Sequence, residues 1–273
     1  MTKARLGGIR FVNSLPIEYA LDNQIVTGPF DFFRSTPVEL NRMMANHELD
    51  ISPVSSIFLA RNAADYLLIP DMAISSGSGV KSVMLFSRRP IEELMNISIG
   101  FNGKGETTPT LLRILCNFRY GFEPRIVPQS TEAELVIGDD ALKAIGFNQF
   151  ERYHSYDLAE LWSDWTKLKF VFAVWLVRKN FFDDETDTFR LVHTALGRAK
   201  EWGLQNLPKI IQEAGEILPL PPDYLASYFG NIQYDVDEGC LKGLDHFYEL
   251  AAELKILPQR VPMGSIASIP LLS

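Results

Sequence analysis

The sequence predicts an α/β protein of two lobes that face one another across a cleft. Three observations carry that expectation. Strand-type segments alternate with helix signals as far as about residue 178, and helices dominate beyond it. One series of strand–helix units ends at Ser87, and a second opens at Ile97. A continuously apolar run, Phe170–Val177, then reads as a central strand covered on both faces that returns the chain to the first lobe. The expected division is residues 1–88 with 176–273 in lobe 1, and 89–175 in lobe 2.

Taken in order, Leu6–Val12 is the first strand, and a helix opens at Leu15-Pro16 with Ser14 as its N-cap. Thr36-Pro37-Val38-Glu39 is a capping box that starts a helix running to about Asn46. Leu49–Val54 is a strand, and Ser55-Ser56 caps the helix Ile57–Asn62. Val80–Phe86 has strand residue types, which puts Val80, Ser82, Met84 and Phe86 on one covered face. Ile97–Phe101 begins the second lobe's pattern. The helix after Thr107-Thr108-Pro109 carries Leu111, Ile114, Leu115 and Phe118 at i, i+3, i+4, i+7. Glu134–Gly138 is a strand, Asp139-Asp140 caps Ala141–Ile145, and Tyr156–Trp165 is helical. Of the late helices, one has a stripe ending at Gly203, and the last carries Leu241, Leu244, Tyr248, Ala251 and Leu254 on one face.

Polar residues recur where strands end and helices begin: Asn13, Ser55, Ser56, Ser82, Thr107, Thr108 and Asp139. In open α/β sheets ligands bind at such ends. Each also has a purely structural reading. Asn13 can shape a turn, Ser82 can bond nearby backbone, and Thr107, Thr108 and Asp139 can cap helices.

The composition narrows the function. The chain has 273 residues with a formal charge of −8, which argues against electrostatic binding to nucleic acid or to an anionic membrane. Two cysteines far apart, Cys116 and Cys240, read as free buried thiols. Four scattered histidines form no zinc spacing, and no Gly-x-Ser-x-Gly elbow is present. No cofactor and no metal are expected. The first residues contain no apolar stretch of signal-peptide length, so the expected location is the cytoplasm. A homodimer is left open, since Trp162, Trp165 and Trp175 fit a core or an interface equally.

With two crossings, near Ser87 and near Phe172–Trp175, the lobes form a hinge beneath a cleft on which these polar residues converge. That is the architecture of a type II periplasmic-binding-protein-like fold. The ordered motifs IRFVNSLP (Ile9–Pro16), PVELN (Pro37–Asn41), LDISPVSS (Leu49–Ser56), ISSGSGVKSVMLFS (Ile74–Ser87), VIGDDAL (Val136–Leu142), Tyr156-Asp157-Leu158 with Trp162, and FVFAVW (Phe170–Trp175) extend over nearly the whole chain. Together they resemble the chorismate dehydratase family of the futalosine route to menaquinone.

The resemblance implies conversion of chorismate to 3-[(1-carboxyvinyl)oxy]benzoate with loss of water. It implies Asn13 and Ser82 as the catalytic polar pair. Ser55, Ser56, Thr107, Thr108 and Asp139 would then be substrate-binding. One departure stands out: the family's Ser-x-Thr-Ser reads Gly105-Glu106-Thr107-Thr108 here. A non-catalytic cytosolic small-anion-binding protein of the same fold, and the sister 1,4-dihydroxy-6-naphthoate synthase, are the alternatives.

Overall fold

The computed structural model describes residues 2–103 and 105–269. β1 (Ala4–Ile9) leads through one 3-10 turn, Val12–Ser14, into α1 (Leu15–Asp22). β2 (Phe30–Ser35), α2 (Pro37–Ala45), β3 (Ile51–Ser55), α3 (Ser56–Asn62) and β4 (Tyr66–Ser76) follow. The second series is β5 (Val83–Ser87), β6 (Ser98–Gly100), α4 (Thr107–Ile114), β7 (Arg125–Val127), β8 (Ala133–Ile137), α5 (Asp139–Gly146), β9 (His154–Asp157) and α6 (Leu158–Thr166). β10 (Phe170–Arg178) precedes α7 (Lys179–Asp184), α8 (Thr186–Gln205), α9 (Leu207–Ile217), α10 (Pro222–Gly230) and α11 (Glu238–Glu253).

The strands form two five-stranded sheets of matching layout, β2-β1-β3-β10-β4 and β7-β6-β8-β5-β9. In each, three strands run parallel and one inner strand runs antiparallel to both its neighbours. That inner strand is β10 in the first sheet and β5 in the second. Each follows directly on a crossing between lobes, so the two-lobed α/β architecture is as expected. β10 is apolar throughout because it lies between β3 and β4 with both faces covered, and Val174, Leu176 and Val177 are fully buried.

The strand pairing moves the expected boundaries. Val83–Ser87 pairs with β8 and β9, so it belongs to the second lobe rather than the first. Phe170–Trp175 pairs with β3 and β4, so it belongs to the first. The crossings are therefore the stretches 77–82 and 167–169. Val80 is not part of the strand: Lys81 adopts φ +57, which breaks the extended backbone, and its N–H is held by the Asp157 carboxylate. The residues Val80, Ser82, Met84 and Phe86 are nevertheless all buried.

Local chemistry differs from expectation at several element ends. Thr36 accepts the Glu39 N–H at 3.3 Å, but Glu39 pairs with Arg42 instead of closing the box. Ser14 stands at the N-cap of α1 as expected but makes no side-chain cap bond; its hydroxyl bonds Ile9 O, Phe11 O and Glu18 instead. α8 runs through Gly203 because α1 crosses there: a Cβ would lie 1.9 Å from the Pro16 carbonyl oxygen. β2 and β9 were not foreseen. Trp162 and Trp175 are fully buried, and Trp165 packs against the same core, so all three serve packing within the chain. Both cysteines are free and buried.

Candidate functional site

The lobes enclose a cavity of about 100 Å³. Its walls are mainly apolar, from Ile9, Phe11, Val54 and Phe172 on one side and Val83 and Ile137 on the other. Its polar groups are Asn13, Ser55, Ser82, Glu106, Thr107 and Thr108. Five of the seven residues singled out in the sequence therefore meet at one hollow. Ser56 and Asp139 do not line it; they tie the lobes together around it.

Asn13 lies in the 3-10 turn after β1. The turn is clamped from beneath by Glu18, which accepts the Ile9 N–H at 2.8 Å and the Ser14 hydroxyl at 3.0 Å. Burial pushes the Glu18 carboxyl up to about 8, with Arg34 and the Ile9 N–H pulling the other way. The Asn13 carbonyl accepts the Tyr234 hydroxyl at 3.0 Å. Its amide oxygen Oδ1 is buried and has no partner among the described residues. An unpartnered buried acceptor is costly, which marks it as a place for a ligand's donor.

Ser82 closes the first crossing. Its carbonyl accepts the Gly138 N–H at 2.7 Å, and its side chain is buried. Gly138 has φ +64, and a Cβ there would meet the Phe11 ring at 3.1 Å, so glycine lets lobe 2 approach lobe 1 at this point. Asp139 follows as the first residue of α5. It does not cap that helix; Oδ1 accepts the Val12 N–H from the other lobe at 3.1 Å. Burial pushes its carboxyl up to about 6, with the Val12 N–H and Lys143 opposing.

At the opposite wall, Ser55 is held by Asn41, which donates to its hydroxyl at 2.8 Å and accepts its N–H at 3.1 Å. Ser55 Oγ thus keeps its own proton for a ligand. Thr107 reaches across the cleft: its hydroxyl accepts the Ile57 N–H at 3.3 Å and sits 3.4 Å from Ser56 Oγ. The Ser56 hydroxyl and the next amide are thus engaged by lobe 2. An Arg61–Glu106 ion pair joins the same two elements. Thr108 is free of such contacts and lines the cavity at the start of α4. The amides of that first helical turn have no intrahelical partners, so the helix end favours negative charge.

The described lining contains no Lys, Arg or His. The arrangement can orient a small, partly apolar molecule, receive one of its donors at Asn13, and donate to it from Ser55, Ser82, Thr108 and the α4 amides. Glu18, Asn41 and Tyr234 were not foreseen. Glu18 left a signal, a lone acid four residues after Ser14 in the apolar stretch LPIEYAL. Tyr234 left none, because it reaches the Asn13 carbonyl across 221 positions of sequence. Among the described residues, no cluster of His, Cys, Asp and Glu has metal-binding geometry.

Comparison with known proteins places this geometry in context. The chorismate dehydratase of Thermus thermophilus is 28% identical, over 94% of this chain and 98% of its own. Solved structures show the fold. An Archaeoglobus fulgidus protein superposes with TM-score 0.76 at 18% identity, covering 93% of this chain and 98% of its own. The periplasmic aliphatic sulphonate binding protein SsuA of Escherichia coli gives 0.71 at 13%, covering 100% and 94%. The alkanesulfonate-binding protein SsuA of Xanthomonas axonopodis pv. citri, bound to MOPS, gives 0.71 at 14%, covering 98% of each. A family model for menaquinone biosynthesis matches residues 4–253, and the chain belongs to that family.

Proposed function

We propose that this protein is a cytoplasmic carbon–oxygen lyase, a chorismate dehydratase that acts in the futalosine route to menaquinone. It converts chorismate to 3-[(1-carboxyvinyl)oxy]benzoate and water. The observation that carries the reading is the cavity itself: an amide and hydroxyls from both lobes surround an apolar hollow, and among the described residues Glu106, paired with Arg61, is the one titrating side chain in its lining. The kinship with a protein named for this activity supports it.

The reaction suits such a site. The ring carbon that bears the ether loses its proton, the neighbouring C–O bond breaks, and the hydroxyl leaves as water. The product ring is aromatic, which drives the step. The protein's work is to hold the ring, seat two carboxylates and stabilise charge as it moves. Asn13 Oδ1 accepts a hydrogen bond from the departing hydroxyl before cleavage. Ser82, Ser55, Thr108 and the first turn of α4 hold the carboxylates. Each helix-end interaction contributes about 0.3–1 kcal/mol, and up to about 2 kcal/mol when partly buried. A carboxylate of the substrate takes the ring proton and hands it to the departing hydroxyl, which leaves as water, while the Asp139 carboxylate is engaged by the Val12 N–H.

Incubating the protein with chorismate and following the mixture by chromatography tests the reading. A new aromatic acid, absent without protein, is expected. Tight binding of chorismate with no product would instead identify a small-anion-binding protein.

A further inference from the structure

Lys81 stands one residue before Ser82 in the first crossing, where the chain is held from several sides. Its φ is +57, a left-handed conformation that lysine rarely adopts, so a contact must hold it in place. The Asp157 carboxylate supplies one: Oδ2 accepts the Lys81 N–H at 2.5 Å. The other oxygen, Oδ1, accepts the Ala159 and Glu160 N–H groups at 2.9 and 3.3 Å, which caps α6. Asp157 is itself fixed, since it ends β9 opposite Met84 of β5 and is buried. A Cβ on Gly79 would crowd Oδ2 at 3.0 Å, so glycine suits this close approach. From the helical tail, Asn231 Nδ2 donates to the Gly79 carbonyl at 3.0 Å, and the Lys81 ammonium lies 5.2 Å from the centre of the Tyr224 ring. Beyond Lys81, the Ser82 carbonyl accepts the Gly138 N–H at 2.7 Å. The backbone of Ser82 therefore sits between two anchors of the second lobe, Asp157 and Gly138.

We propose that Asp157 is a positioning residue for the reaction: by holding the Lys81 amide it fixes where Ser82 presents its hydroxyl. The proposal rests on the dehydratase reading and deepens it. Asp157 does not line the cavity, and its two oxygens are engaged by three N–H groups. It therefore acts through the backbone and not on the substrate. The arrangement repeats what Asp139 does for Asn13. In each case an aspartate where a strand of the second lobe meets a helix accepts the amide one residue before a polar side chain that lines the cavity. The frame of the second lobe thus sets the spacing between Asn13 and Ser82. A misplacement of about 1 Å can cost about 100-fold in rate, so such an anchor governs turnover without touching substrate.

Asp157→Ser separates the two jobs of the side chain, with chorismate turnover, melting temperature and amide hydrogen exchange measured on the full chain. A serine at this position still caps α6 but is too short to reach Lys81. It is expected to lower kcat by about 10- to 100-fold with KM changed less than about threefold. In a Ser82→Ala background the same change should cost less than about twofold more. Exchange of the amides of residues 79–82 should quicken by about 10-fold or more in Asp157→Ser and stay as in the wild type in Ser82→Ala. Asp157→Asn fills the original space and leaves one oxygen for the three N–H groups, so it should show the same faster exchange with a smaller loss of kcat. A merely structural role would lower the melting temperature and leave kcat within about twofold. That result, unchanged exchange in both variants, or losses that multiply in the Ser82→Ala cycle overturns the proposal while leaving the dehydratase reading intact. A wild-type protein that makes no aromatic product overturns the reading and the proposal with it.

Discussion

The carboxylate of Asp139 accepts the amide of Val12 at 3.1 Å, so the second lobe grips the first one residue before Asn13. This contact needs an acceptor and not a charge. Asp139→Asn is expected to keep kcat/KM within about threefold, and Asp139→Ala to lower it by about 10-fold or more. Steady-state kinetics on the two variants check this. Loss of all turnover in the asparagine variant would instead make Asp139 the general base.

Thr107 makes the corresponding bridge on the other wall, where its hydroxyl accepts the Ile57 N–H and meets Ser56 Oγ. Thr107→Val keeps the shape and removes both contacts. KM should rise by about 10-fold as the closed state loses population, while Thr107→Ser stays near wild type. Kinetics and equilibrium binding measure both.

Glu18 gives stability a pH dependence of defined sign. Its ordinary value is 4.5 and burial holds it near 8 in the fold. Stability is therefore complete below about pH 4.5, falls as pH rises, and levels off above about 8. Asp139 titrates earlier, near 6, so the fall between pH 6.5 and 8.5 belongs to Glu18. About 2 kcal/mol should be lost across that window at roughly 1.4 kcal/mol per pH unit. Glu18→Gln should flatten the curve, as urea melts at several pH values would show.

Gly105 lines the cavity, and a Cβ placed on it meets nothing within 4 Å. Gly105→Ser is expected to fold normally and add a donor near the start of α4. KM for chorismate should fall by about 2- to 10-fold with little change in melting temperature. A rise in KM would show that the open space at Gly105 is needed by the substrate.

Much of the fold was legible because local signals agreed with it. The alternation of strands and helices, the apolar run of β10 and the proline-led starts of α1 and α2 all follow from short-range chemistry. The lobe boundaries were not legible, because β5 and β10 look like continuations of their neighbours in sequence and only pairing assigns them to a sheet. The site was half legible. Strand-end position picked out Asn13, Ser55, Ser82, Thr107 and Thr108, which line one cavity. It also picked out Ser56 and Asp139, which lie beside the cavity with hydrogen bonds that run between lobes and have no local signature. It missed Tyr234, which reaches the Asn13 carbonyl from the helical tail.

The central claim is that Asn13 and Ser82, from different parts of the chain, act on one molecule of chorismate. Turnover by Asn13→Ala and Ser82→Ala, each with an unchanged melting temperature, measures it most directly. The account predicts that kcat drops by about 100-fold or more in both. Wild-type turnover in both variants would contradict it.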